Sequence, residues 1–274
     1  MQTGNQLSLA YLSVNGAAPV EHIEAAAAAG FHAAGLRILA PTRVPLPHDV
    51  IGNAPRIREI RRACERTGIE VLDIEVFTLD AETDVARLRP ALETAAEIGA
   101  RYFQAVSEDA DPQRAAERFG ALCDAASGFG LAIALEFMRF RNLQTIEAAD
   151  ALVTAAGRSN GAVLVDALHL SRSGGNPAAV AALPRSHIAY MQLCDAPAKA
   201  PPLDELVHEA RNDRLHPGEG SLWLDELLDA LPPGVPISVE VPRSIDAGRS
   251  VHERAMLAGD AARRYLARYR MRGT

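Results

Sequence analysis

Eight short runs with strand character recur along the chain, each separated from the next by a longer stretch, and nothing else narrows the fold so far. They cover residues 7–14, 33–38, 70–76, 102–106, 131–137, 162–166, 188–193 and 236–241. The runs are nearly continuous in apolar residues, as suits strands buried on both faces of a parallel sheet. Between them, residues 20–29, 54–67, 87–98, 112–129, 146–156, 223–231 and 250–269 carry apolar positions three and four apart. Gly30, Gly68 and Gly99 stand where helix C-caps are needed. Eight β–α alternations predict an α/β fold of the (β/α)8 TIM-barrel type, and a length of 274 residues suits one such domain over 1–274. An open, doubly wound sheet is the competing architecture. It usually places a glycine-rich phosphate turn after its first strand, where this chain has only VNGAAP.

The widest interval lies between the runs that begin at 188 and 236. It holds a polar, proline-rich segment, DAPAKAPPLDELVHEARNDRLHPGEGS. A connection of this length in a compact domain is either a functional lid or binding element, or a surface insertion with a short helix.

Composition removes several function classes. The net charge is −7, with 28 basic residues against 35 acidic ones, which argues against a nucleic-acid partner. Lys199 is the single lysine and sits in APAKAPP, so Schiff-base chemistry lacks a candidate on a rigid element. Cys64, Cys123 and Cys194 are widely spaced with no CxxC, which reads as reduced thiols in a cytoplasmic protein. The first residues lack the basic and apolar regions of a signal peptide. No apolar run approaches the roughly 18 residues needed to span a bilayer, so no membrane partner is expected.

In a barrel of this type, catalytic groups come from the C-terminal ends of strands. That filter isolates Glu136 in ALEF, Asp166 in LVDA, Gln192 in MQLC and Glu240 in SVEV. A carboxylate inside an apolar run is costly unless paired or bound to a cation, and salt bridges to arginine account for any one of them taken singly. Three carboxylates converging on one mouth repel strongly, and a divalent metal is the simplest remedy. The donors are all oxygens, which favours Mn2+ or Mg2+, with Co2+ or Zn2+ as substitutes. Such an ion would polarise a carbonyl or hydroxyl and stabilise an enediolate, while a neighbouring carboxylate moves the proton. His169, three residues after Asp166, is the histidine best placed to act on a substrate. Arg37, at the end of the second run, could meet an anionic substrate group or neutralise Glu75 on the next strand.

Together, ALEF, Asp166-x-x-His169, Gln192-x-x-Asp195, RLHPGEG and VEVP resemble the xylose-isomerase-like TIM barrels, and the resemblance runs over essentially the whole chain. That group includes sugar and sugar-phosphate isomerases and epimerases, inosose dehydratases, 3-dehydroshikimate dehydratases and endonuclease IV. The resemblance implies that Glu136, Asp166, Gln192 and Glu240 bind the metal. It implies that Glu136 and Glu240 flank the substrate as an acid/base pair, and that His169 holds a substrate oxygen. Arg214 and Glu219, in RLHPGEG, look like the loop that organises the mouth, and the resemblance implies that both contact the substrate. Gln192 stands where most epimerases of this type carry His, and it is similar to the ligand set of 3-dehydroshikimate dehydratases. Asn142 and Ala198 replace a Glu and an Arg common in epimerases.

The expected function is therefore a metal-dependent sugar or sugar-phosphate isomerase or epimerase acting on a small polyhydroxylated carbonyl substrate. The alternative is a dehydratase of 3-dehydroshikimate or inosose type. The resemblance also suggests a homo-oligomer. Endonuclease chemistry would need a histidine-rich metal cluster and a basic face, and neither is visible.

Overall fold

Every strand run is followed by a segment that turns back over the sheet, and in the computed structural model these units close into a ring. The structure describes residues 6–40, 46 and 48–272. The strands are β1 (Leu7–Leu9), β2 (Ala33–Arg37), β3 (Glu70–Leu79), β4 (Tyr102–Ser107), β5 (Ala132–Glu136), β6 (Gly161–Asp166), β7 (Ile188–Leu193) and β8 (Ile237–Val239). All pair in parallel in chain order, and β8 pairs with β1 to close the barrel. The helices outside it are α1 (Pro19–Ala28), α2 (Ala54–Thr67), α3 (Arg89–Glu97), α4 (Pro112–Ser127), α5 (Ile146–Ala156), α6 (Ala167–Arg172), α7 (Pro177–Ala181), α8 (Leu206–Asn212), α9 (Leu224–Ala230) and α10 (Val251–Met271).

Helix boundaries follow local chemistry. Asn53, Asp111, Thr145 and Ser250 each accept a backbone N–H from the first turn that follows, and Ser250 forms a capping box with Glu253. Gly68 and Gly157 end α2 and α5 in the left-handed conformation.

Side chains two apart on a strand share a face. One face of each strand packs against the helices in a large apolar core, to which Ile74, Phe103, Leu135, Val163 and Leu193 belong. A second, smaller cluster includes Ala33, Tyr102, Ala134, Leu164 and Tyr190 and fills the lumen. The lumen becomes polar toward the C-terminal ends of the strands, with Gln104, Glu136, Asp166, Gln192 and Glu240 all buried there.

The boundaries differ from expectation at the first run. Only Leu7–Leu9 is strand, and Tyr11–Val14 is a 3-10 turn. Ser13 causes the turn to be worth making: its hydroxyl donates to the Val239 carbonyl and accepts from the Val241 N–H, both at 2.8 Å. Apolar character continues through Val14, which is buried in the core although the backbone has left the sheet.

Candidate active site

Strand register brings the strand-end polar residues to one level. Asp166 pairs with Gln192, Arg37 with Glu75, and Val106 with Glu136. Glu240 follows the last residue of β8 and donates its backbone N–H to the Leu193 carbonyl. The result is a cavity of about 290 Å3 at the mouth, lined among others by Arg37, Glu75, Glu136, His169, Arg214 and Glu240.

Arg214 is the cation at the centre of this group. Its guanidinium lies 2.6 Å from an Asp166 oxygen and 2.7 Å from a Glu240 oxygen, and its Nε donates to the Ala210 carbonyl at 2.8 Å. It is 2% exposed. A charge this deep is tolerable only when paired, and here two carboxylates pair it. Burial alone would lower the Arg214 pKa, but Asp166 and Glu240 outweigh it and hold the group well above its usual range. Burial likewise works to raise Asp166, yet Arg214, His169 and the hydrogen bond from the His169 N–H bring it below the ordinary carboxylate value.

Glu136 has no such cation. It accepts from Gln104 Nε2 at 2.7 Å, and His169 Nε2 lies 3.6 Å away. Burial, then the facing carboxylates of Glu240 and Asp166, push it well above the usual range. Burial raises Glu240 to about 8, with Arg214 opposing. His169 is lowered to about 4, mainly by burial and against the pull of Asp166, so its ring is neutral near pH 7. Asp166 caps α6 by accepting the His169 N–H at 2.9 Å, and the edge of Phe140 packs on the ring. One carboxylate thus orients the histidine that faces another.

Oxygen atoms of Glu136 and Asp166 and a ring nitrogen of His169 lie within 4.8 Å of one another, a grouping that could hold a metal ion. The sequence-based donor set contained no imidazole, so the geometry brings a nitrogen into reach of an all-oxygen set. Gln192 Nε2 donates to Glu240 at 3.0 Å, while its Oε1 is buried with no hydrogen-bond partner. An orphaned buried acceptor beside carboxylates that repel one another fits a cation. The bonds to Arg214 do not exhaust the carboxylates, since each oxygen has two acceptor sites.

Of the two roles considered for Arg37, the structure shows the pairing with Glu75. Its guanidinium lies 3.0 Å from Glu75 and 4.5 Å over the Tyr11 ring, and it lines the mouth. Glu219 is elsewhere. It accepts the His216 N–H and pairs with Arg243, shaping the loop without lining the cavity. The carboxylate that organises this loop is Asp195, which accepts the N–H groups of Gly218, Gly220 and Leu222 at 3.0 Å each. A Cβ on Gly220 would sit 2.4 Å from Asp195 Oδ1 and from the Ala196 carbonyl, so only glycine fits. The long segment is therefore an ordered strap that carries Arg214 into the mouth. Gln104, missed in the sequence, was visible as the one polar residue inside YFQAV.

A curated relative named 3-dehydroshikimate dehydratase, from Pseudomonas aeruginosa strain PAO1, is 29% identical over 254 residues, covering 88% of this chain and 38% of its own length. The chain therefore spans about two-fifths of that relative. An inosose isomerase from Bacillus velezensis is 28% identical over 157 residues, or 54% of each chain. Among solved structures, an IOLI protein with a bound zinc atom matches with a TM-score of 0.81 at 19% identity, covering 96% of this chain and 99% of that one. The model of the xylose isomerase-like TIM barrel family matches residues 23–266, and the chain belongs to that family.

Proposed function

We propose that this protein is a divalent-metal-dependent enzyme that removes a proton next to the carbonyl of a small polyhydroxylated substrate and then expels a β-hydroxyl, as a dehydratase of 3-dehydroshikimate type. The observation that carries the proton-transfer step is Glu136, buried, without a cationic partner and facing a neutral His169. Burial that favours the protonated carboxyl suits Glu136 to carry the proton in general acid–base catalysis. Glu136, Asp166, Gln192 and Glu240 are the residues that would hold the ion, with His169 in reach as a further donor. The ion, Mn2+ or Mg2+ with Co2+ or Zn2+ as substitutes, would supply polarisation of the carbonyl.

The chain's own residues do the rest. Glu136 and Glu240 stand on two sides of the cavity and move the proton. His169, fixed by Asp166, donates to a substrate oxygen. Arg214 bridges Asp166 and Glu240 and holds Asp166 ionised. Loss of a β-hydroxyl is favoured over isomerisation because the dehydratase relative aligns with 88% of this chain and the inosose isomerase with 54%.

The second reading is an isomerase or epimerase of the same substrate class. It shares the deprotonation and is supported by the inosose isomerase relative. The two separate in one assay with Mn2+ present. 3-Dehydroshikimate should give the absorbance of an aromatic product, whereas ketose or inosose exchange without that absorbance would favour isomerisation.

A further inference from the structure

Glu136 and Glu240 line the mouth, and so do Arg37, Arg141 and Arg211, so charges of both signs face one cavity. The arginines are poorly matched by acids. Arg37 has Glu75, and Arg141 has Glu108. Arg211, on α8, is exposed, and its guanidinium has no ion pair or hydrogen bond among the described residues. The Nε groups of Arg37 and Arg141 are buried donors without a partner. Burial, then the charges of Arg141 and Arg37, lower the Arg211 pKa, so these three groups feel one another across the cavity.

Repulsion among the three guanidiniums and the two unpartnered buried Nε donors of Arg37 and Arg141 both cost free energy. An anion among them removes the repulsion and fills the donors, and the planar forks suit a carboxylate. We infer that Arg211, with Arg141 and Arg37, forms a subsite for a carboxylate on the substrate, in the same cavity as the carboxylates that take the proton beside its carbonyl. This rests on the proposed function and deepens it: the substrate is an anionic hydroxy-ketone, and a neutral sugar or inosose leaves the subsite unfilled. Arg211 is the specificity-determining member, because Arg37 and Arg141 already hold an acid of the protein.

Binding separates the possibilities without turnover. The probes are 3,4-dihydroxybenzoate and catechol, which differ only by the carboxylate, titrated calorimetrically into protein carrying one equivalent of Mn2+ at pH 7. The expected result is at least tenfold tighter binding of 3,4-dihydroxybenzoate, about 1.4 kcal/mol. Arg211→Gln should remove most of that advantage and leave catechol within about twofold of its wild-type affinity. Arg141→Gln should weaken the same probe if Arg211→Gln proves unstable. Equal affinity of the two probes for the wild type overturns the subsite alone, as does a loss in Arg211→Gln shared by both. Binding of neither probe overturns the cyclic hydroxy-ketone reading and the subsite with it.

Discussion

At the scale of single residues, the site is a contest between carboxylates for two cations. Arg214 serves Asp166 and Glu240, Arg37 serves Glu75, and Glu136 is left with amide and imidazole neighbours. Replacing Glu136 by Gln should lower kcat by about 100-fold or more, the usual scale for losing a general acid–base group. It should also weaken Mn2+ binding, read by titration calorimetry on the same variant. Arg214→Met should cost about 3–5 kcal/mol in denaturant unfolding with chelator present, because it strands two buried carboxylates. Glu136, Asp166, Gln192 and Glu240 were legible from a simple rule, a polar group at the end of an apolar run. Arg141 and Arg211 were not, since they lie on connections whose meeting point depends on how the loops return to the mouth. Glu219 is the converse case: its place in a family motif carried no information on which way its side chain turns, and it meets Arg243 without lining the cavity.

Elements position these residues through a few buried polar ties. Asp195, at the end of β7, gathers the backbone of residues 218–222, and the strap it secures places Arg214. Asp195→Ala should destabilise by about 1–3 kcal/mol and make the strap more susceptible to limited proteolysis. Its length and polarity marked it as either binding element or insertion, and only the bonds to Asp195 show that it is ordered. His22 ties α1 to β1, its Nε2 3.0 Å from the Leu9 carbonyl, and burial lowers its pKa to about 4. The unfolded chain takes up this proton below about 6.5 and the folded chain does not. The stability His22 confers is therefore present above about pH 6.5 and is lost as pH falls toward about 4. Going from pH 7 to pH 5 should cost the wild type about 2 kcal/mol more than it costs His22→Gln, compared by urea denaturation. At the first strand, hydropathy could not reveal that residues 11–14 leave the sheet. A buried turn and a buried strand look alike in apolar content, and the deciding bonds of Ser13 reach residues more than 200 positions away.

The whole molecule follows from eight repeats of one unit, which is why the barrel was readable at all: parallel strands buried on both sides leave a periodic trace that survives without any single motif. Closure of β8 on β1 then sets strand ends from distant parts of the chain around one cavity. The chemistry arises from that closure, since Glu136, Gln192 and Glu240 meet partners far away in sequence and only Asp166 has one close by, in His169. No helix among the described residues is long and apolar enough to cross a membrane. In the proposed function, an ion held by Glu136, Asp166, Gln192 and Glu240 is required for deprotonation beside a carbonyl. The most direct test of that requirement is turnover of 3-dehydroshikimate, followed by product absorbance, in chelator-stripped protein before and after one equivalent of Mn2+. No turnover is expected in the stripped protein, with recovery on adding the ion and little recovery in Glu136→Gln. Full turnover in the stripped protein, or full recovery in that variant, would contradict the requirement.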